Sequence, residues 1–240
     1  MRRARAVSIY GIGCLLTVLL GLSPATAASM GPIKVARATD LRLPASAVPA
    51  GFTAQPATEN AITTAGLGTH YGTKIRKVFA QNGFAFGYHG WLDGASTPDA
   101  PFVTYDMYAF GSSRGAQTGL DTIVSVVQGL ETTSLSSTLP PNARTWTDGT
   151  ETYGQTNQPF SVSEVLFHQG NVLVNVVAYN AGNSSDSISE ALRNASTVAS
   201  ACEAFVKAGM PASATVRGVP VGAAAFPLTA AGQGSGEGRP

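Results

Sequence analysis

The sequence is short of charge, of cysteine and of histidine, and each shortage removes a class of function. Only 12% of its 240 residues are Asp, Glu, Lys or Arg, and the formal charge is +1. An average soluble domain carries about 25%. Such a balance lacks the basic surplus of a dedicated nucleic-acid binder. With 44% hydrophobic residues the chain has material for a core, which sets it apart from disordered and coiled-coil sequences. Two cysteines, Cys14 and Cys202, cannot build a multi-cysteine metal site. The three histidines, His70, His89 and His168, show no H-E-x-x-H or comparable spacing, and no Gly-rich phosphate loop is followed by a lysine. The sequence therefore predicts neither a metal nor a cofactor.

One long apolar run is present, from about Val7 to Leu22. It follows Arg2, Arg3 and Arg5 and ends before the small-residue site Ala25-Thr26-Ala27, the pattern of a cleaved secretory signal peptide spanning residues 1–27. Export to a secreted or extracytoplasmic location follows, with no membrane span after cleavage. Losing Arg2, Arg3 and Arg5 from 15 basic side chains leaves 12 against 14 acidic ones. Losing Cys14 leaves Cys202 alone, so no intramolecular disulfide can form.

Composition divides the remainder. Residues 28–60 are rich in Ala, Pro and Thr without a sustained period and read as an N-terminal arm with at most one short docked strand or turn. Residues 210–240 have too few large apolar side chains to bury and read as a Gly/Ala/Pro-rich disordered tail. The folded domain is expected over 61–209, so that a chain of about 44–210 would keep the full fold.

Periodicity within that domain predicts alternating element types. Tyr71, Ile75, Val78 and Phe79 share a helical face that stops at Asn82-Gly83. Phe84 to Trp91 and Phe102 to Phe110 alternate as two antiparallel strands. Ala116, Leu120, Ile123, Val124, Val127 and Leu130 mark a second helix, capped by Ser113 or by Thr118 with Asp121. Short strands follow around Arg144–Asp148 and Thr150–Tyr153. A hairpin comes next, turning at Gln169-Gly170 or Gly170-Asn171, with Val165, Phe167, Val172, Val174 and Val176 on one face in either register. Its other face is too apolar for open water, which calls for a covering layer. A last helix begins at a Ser187/Glu190 capping box and ends at Gly209 and Pro211, with Cys202 as a buried, inert thiol in its apolar stripe. The fold class is an α/β (α+β) sandwich, a mainly antiparallel sheet packed by helices in the order α-β-β-α-β-β-β-α.

In layout, the strand-to-helix stretch "VTYDMYAFGSSRGAQ", the hairpin "VLFHQGNVLVNVVAY" and the closing amphipathic helix resemble small exported bacterial domains of the PsbP/Mog1-like fold. That resemblance implies an accessory or binding module without a shared catalytic set, and transfers no functional residue.

Two functional alternatives remain. Gly111-Ser112-Ser113-Arg114-Gly115 fits the G-x-S-x-G elbow of a small serine hydrolase, with Ser113 as nucleophile, His168 as base and Asp148 or Asp121 as orienter. The preceding strand alternates polar and apolar residues, unlike the buried parallel strand of such enzymes, so a turn and cap is the simpler reading. A structural cell-envelope component is the second alternative. The favoured reading is a non-catalytic exported module for an extracytoplasmic ligand or protein, with Glu164, His168, Asn171 and Asn175 as candidate ligand-binding residues.

Overall fold

The structure, a computed structural model, describes residues 33–94, 101–126, 139–153 and 158–209. The signal peptide and the tail expected from the sequence lie outside them. Nine β-branched or aromatic residues, Phe160, Val162, Val165, Phe167, Val172, Val174, Val176, Val177 and Tyr179, favour the hairpin of β6 (Gln158–Gln169) and β7 (Val172–Ala181). Gln169 pairs with Val172, so the turn is Gly170-Asn171. Gly170 has φ 58°, the positive value that the first position of a type II′ turn demands. A second hairpin joins β3 (Phe84–Asp93) to β4 (Phe102–Phe110), and β4 pairs antiparallel with β7. Two short strands, β1 (Thr53–Ala54) and β2 (Asn60–Ile62), both pair with β3. At the other edge β5 (Arg144–Tyr153) pairs with β6, giving the order β1-β3-β4-β7-β6-β5. The two strands expected around residue 149 are one, because a register shift between Asp148 and Glu151 interrupts the ladder without ending it.

One face of this antiparallel sheet is covered by α3 (Ser185–Lys207). Val165, Phe167, Val172, Val174 and Val176 lie there, fully buried against Ala195, Val198, Ala199 and Cys202. Burial also pushes the Cys202 thiol far up, so it stays protonated and unreactive. The helix starts one turn earlier than its expected box: Ser184 caps it by accepting from Ser187 N at 3.1 Å, while Glu190 accepts instead from Asn180 Nδ2 at 2.9 Å. Gly209, with φ 81°, follows its C-terminus as expected.

The segment expected to be a loose arm is part of this layer. Ile33, Leu41 and Leu43 are at most 8% exposed and join the same cluster. Polar contacts fix the strap: Leu43 N donates to the Tyr105 hydroxyl at 3.1 Å, and Arg42 pairs with buried Glu59 at 2.7 Å, which also accepts from the Tyr88 hydroxyl at 2.8 Å. Gly90 makes room for this arrangement, since a Cβ there would run into the Tyr105 ring. Each large apolar side chain buried in this way contributes roughly 1.5–3 kcal/mol, so the strap is integral to stability and a division at residue 61 cuts through the core.

On the opposite face, α1 (Thr64–Gln81) and α2 (Ser113–Val126) cover one half of the sheet. Phe79, Leu120 and Ile123 pack there on Tyr108, Phe110, Leu166 and Leu173. This is the second layer that the apolar second face of the hairpin calls for. Helix α1 is longer than its pattern, since Thr63 caps it and the helix continues through a kink at Gly72 (φ 76°). Helix α2 is capped by Ser112, whose Oγ accepts from Gly115 N at 3.1 Å, and by neither Ser113 nor Thr118. The Thr118 hydroxyl turns back onto the Arg114 carbonyl.

Candidate functional site

The G-x-S-x-G reading meets a different arrangement. Ser113 is exposed at the first turn of α2, and His168 on β6 is engaged elsewhere. Its Nε2 stands 2.7 Å from Gln117 Oε1, and its Nδ1 lies 3.3 Å from the Gly170 carbonyl. Gln117 Nε2 in turn donates to Asp121 at 2.8 Å. The Asp121 carboxylate accepts only, so it turns the amide oxygen of Gln117 toward His168 and requires a hydrogen on Nε2. His168 therefore donates into α2 and presents no base to a Ser113 hydroxyl. No hydrogen bond joins Ser113 to His168, and the Asp148 side chain lies outside the described set.

Asn171 is likewise committed. Its Nδ2 donates to the carbonyls of Ile33 and Phe110, at 3.2 and 2.8 Å, and its Oδ1 accepts from Ile33 N at 2.7 Å. Both amide hydrogens and the amide oxygen are engaged within the fold, so Asn171 clamps the turn to the strap and to β4.

Glu164 and Asn175, the remaining candidates, do meet. Period-two geometry places alternate residues of each strand on the face that α1 and α2 only half cover. The register sets His89 beside Asp106 and Asp106 beside Asn175 across β3, β4 and β7. One step along, Trp91, Thr104, Val177 and Glu164 align; at the end of the sheet Phe102 stands opposite Tyr179. This half of the face is a strip with a polar floor at mid-sheet and an aromatic ladder toward the sheet end.

The strip has distinctive electrostatics. His89 Nδ1 lies 2.7 Å from Asp106 Oδ1, both side chains about 15% exposed. Burial alone would lower the imidazole pKa, but the charge and hydrogen bond of Asp106, with a contribution from Glu59, raise it. Glu164, 8% exposed, is pushed up to about 7. Its burial is the main cause, offset in part by a hydrogen bond from Asn175 and reinforced by the charge of Asp106. Trp91, Phe102 and Tyr179, each a half-buried residue, stack in series, with centroids 4.5 Å apart at 7° and 14°. Trp91 Nε1 donates to Asp93. Among the described residues no group of three or more His, Cys, Asp and Glu is placed to hold a metal ion, and no helix is long and apolar enough to cross a membrane.

Sequence reasoning placed Glu164 and Asn175 on one hairpin face but missed His89, Trp91, Phe102 and Asp106. Their alternation was visible; what joins them to Glu164 is the β4–β7 pairing, which no local pattern encodes.

No family model matches the chain, so the PsbP/Mog1-like likeness gains no family assignment, and no curated protein matches it. Among solved structures, the chain is similar to the extracellular domain of PknH from Mycobacterium tuberculosis, with a TM-score of 0.45 and 13% identity over 72% of this chain and 98% of that one. Identity at that level transfers no residue's role.

Proposed function

We propose that this protein is an exported accessory module that binds a ligand on the partly exposed strip between Glu164 and the Trp91–Phe102–Tyr179 ladder, without turnover. One observation carries the reading: buried, hydrogen-bonded polar groups with perturbed titration lie directly beside partly exposed stacked aromatic rings on one sheet face. Few polar groups beside apolar surface is the usual make-up of a small-molecule site. Such groups are costly to bury, and a fold that needed only a core would place aliphatic side chains there. The basic start and Ala-Thr-Ala site of the sequence support export. The hydrolase alternative loses its Ser–His contact, because His168 is turned to Gln117.

The test is a nuclear magnetic resonance screen of the purified chain against a small-molecule library of mixed charge. Saturable shifts should gather on the Trp91 indole, the Asp106 and Asn175 amides and Tyr179. Saturable shifts gathered elsewhere, or none at the strip, would sink the reading.

A further inference from the structure

Helix α1 divides its side chains sharply. Ile75 and Phe79 are buried against the sheet, while Lys74, Arg76 and Lys77 are exposed. At about 100° per residue the three cations span an arc of about 160° centred opposite Ile75. Thr73, Ala80 and Gln81 fall in the same arc, and residues 64–81 contain no Asp or Glu. The start of α2 extends the charge. A Cβ on Gly115 would run into the Asn82 carbonyl oxygen, so the first turn of α2 abuts the end of α1. Arg114, next to Gly115, is exposed and lies on the side of α2 opposite the buried stripe of Ala116, Leu120 and Ile123. The one acid of α2, Asp121, sits two turns further on, roughly 10 Å along the axis, where it accepts from Gln117.

The four cations are not drawn into the fold's own ion pairs. Among the described residues, Arg37, Arg42 and Lys207 pair with Asp40, Glu59 and Glu203, and Lys74, Arg76, Lys77 and Arg114 pair with no carboxylate. Lys74 and Lys77, three residues apart on one helix, repel each other, and a surface that served only solubility would intersperse both signs. The rest of the chain has the opposite balance. Outside α1 and α2, residues 28–240 carry 13 acidic side chains against 8 basic ones. Charge is therefore separated across the molecule, with a positive part on one helical surface.

That separation discriminates between anionic partners. A flexible polyanion that wraps the protein meets the acidic remainder, whereas a plane touches only the side turned toward it. The large apolar side chains of both helices are spent on the sheet, and the exposed large hydrophobic residue among those described is Val126, so attraction to such a plane is by charge without an inserted apolar stripe.

We propose that the outer surface of α1 and the start of α2 dock on an anionic lipid bilayer, with Lys74, Arg76, Lys77 and Arg114 at the headgroups. The proposal is independent of the ligand reading of the strip. Because both helices cover the other half of the same sheet face, docking turns the strip toward the bilayer.

Vesicle flotation of the purified exported chain tests this, with phosphatidylcholine alone and with an equal mixture of phosphatidylcholine and phosphatidylglycerol. The chain should float with the anionic vesicles at about 50 mM salt, stay behind with the neutral ones, and be released at about 500 mM. Each cation near an anionic surface contributes a factor of about five, so Lys77→Gln with Arg114→Gln should weaken the partition about 25-fold, and Lys74→Gln with Arg76→Gln should do the same. Arg193→Gln, at an exposed position of α3 across the sheet, should leave it unchanged. All five positions are exposed, so circular dichroism should show the parent fold in every variant. Equal partition into neutral vesicles, or a partition that both double variants leave unaltered, would overturn the proposal. Soluble polyphosphate that binds the chain more tightly than anionic vesicles at equal phosphate concentration would overturn the bilayer in favour of a polymer.

Discussion

Asn171 and Ile33 face each other as two amides, the Asn171 side chain receiving a hydrogen from Ile33 N at 2.7 Å and returning one to its carbonyl at 3.2 Å. A side chain in a hairpin turn thereby pairs with the distant strap as a neighbouring strand would. Asn171→Ala breaks three buried hydrogen bonds and leaves the Phe110 carbonyl without this donor. The expected loss is about 2–4 kcal/mol in chemical denaturation. An unchanged midpoint would show that the strap is held by its apolar contacts alone.

Truncation to residue 44 tests those apolar contacts. It removes Ile33, Leu41 and Leu43 together with the Arg42 partner of Glu59. At roughly 1.5–3 kcal/mol per buried side chain, the melting temperature should fall by more than about 10 °C. This outcome would be the opposite of the expectation that residues 44–210 suffice, and it is expected because a short segment without periodicity fills the face beside α3.

The serine pair at the start of α2 separates cap from neighbour. Ser112→Ala should cost about 1 kcal/mol, as losing an N-cap oxygen does, and exposed Ser113→Ala should change stability by less than about 0.5 kcal/mol. A fluorophosphonate probe should label neither. Covalent attachment at Ser113 would restore the hydrolase reading.

Glu164 sets a pH dependence. Its carboxyl titrates at about 7 in the folded chain against an ordinary value of 4.5, so the folded state holds the proton more tightly. The associated stability is full below the unfolded pKa and is lost as pH rises through the folded one. His89, raised by Asp106, acts with the same sign. Stability should therefore decline from about pH 5 to about pH 8, and Glu164→Gln should remove up to about 3 kcal/mol of that decline. Thermal melts across the range check this; an identical slope in the variant would place the titration elsewhere.

Gly90→Ala probes the close approach of Tyr105. A Cβ at this position meets the ring itself, and the displaced hydroxyl would release Leu43 N. Overpacking of this kind costs about 1–3 kcal/mol, to which the lost hydrogen bond adds. Tyr105→Leu in the same chain should make the alanine nearly harmless, a coupling that a double-mutant cycle measures.

Elements whose driving force is local were readable from the sequence. The β6–β7 hairpin announced itself by alternation around Gly170, and α3 by its stripe ending at Gly209. Helix starts were displaced because serine clusters offer several competent hydroxyls: Ser112 and Ser113 at one end, Ser184, Ser185 and Ser187 at the other. Only backbone geometry chooses among them. The same limit split the candidate site. Hairpin parity placed Glu164 and Asn175 on one face, while His89 and Asp106 reach them through a register between strands distant in sequence. Asn171, on an equally polar turn, gave no sign that its partner was Ile33.

The seam between β4 and β7 has a consequence for biosynthesis. The first hairpin is complete when Phe110 has been made, yet the edge of β4 waits for Val172–Ala181 before it finds its partner. At ~5–20 residues per second that interval lasts several seconds or more, during which β4, paired with β3 along one edge, leaves its other edge without its partner strand. The joint that makes the finished sheet continuous is thus also the one that delays its closure until β7 has been made.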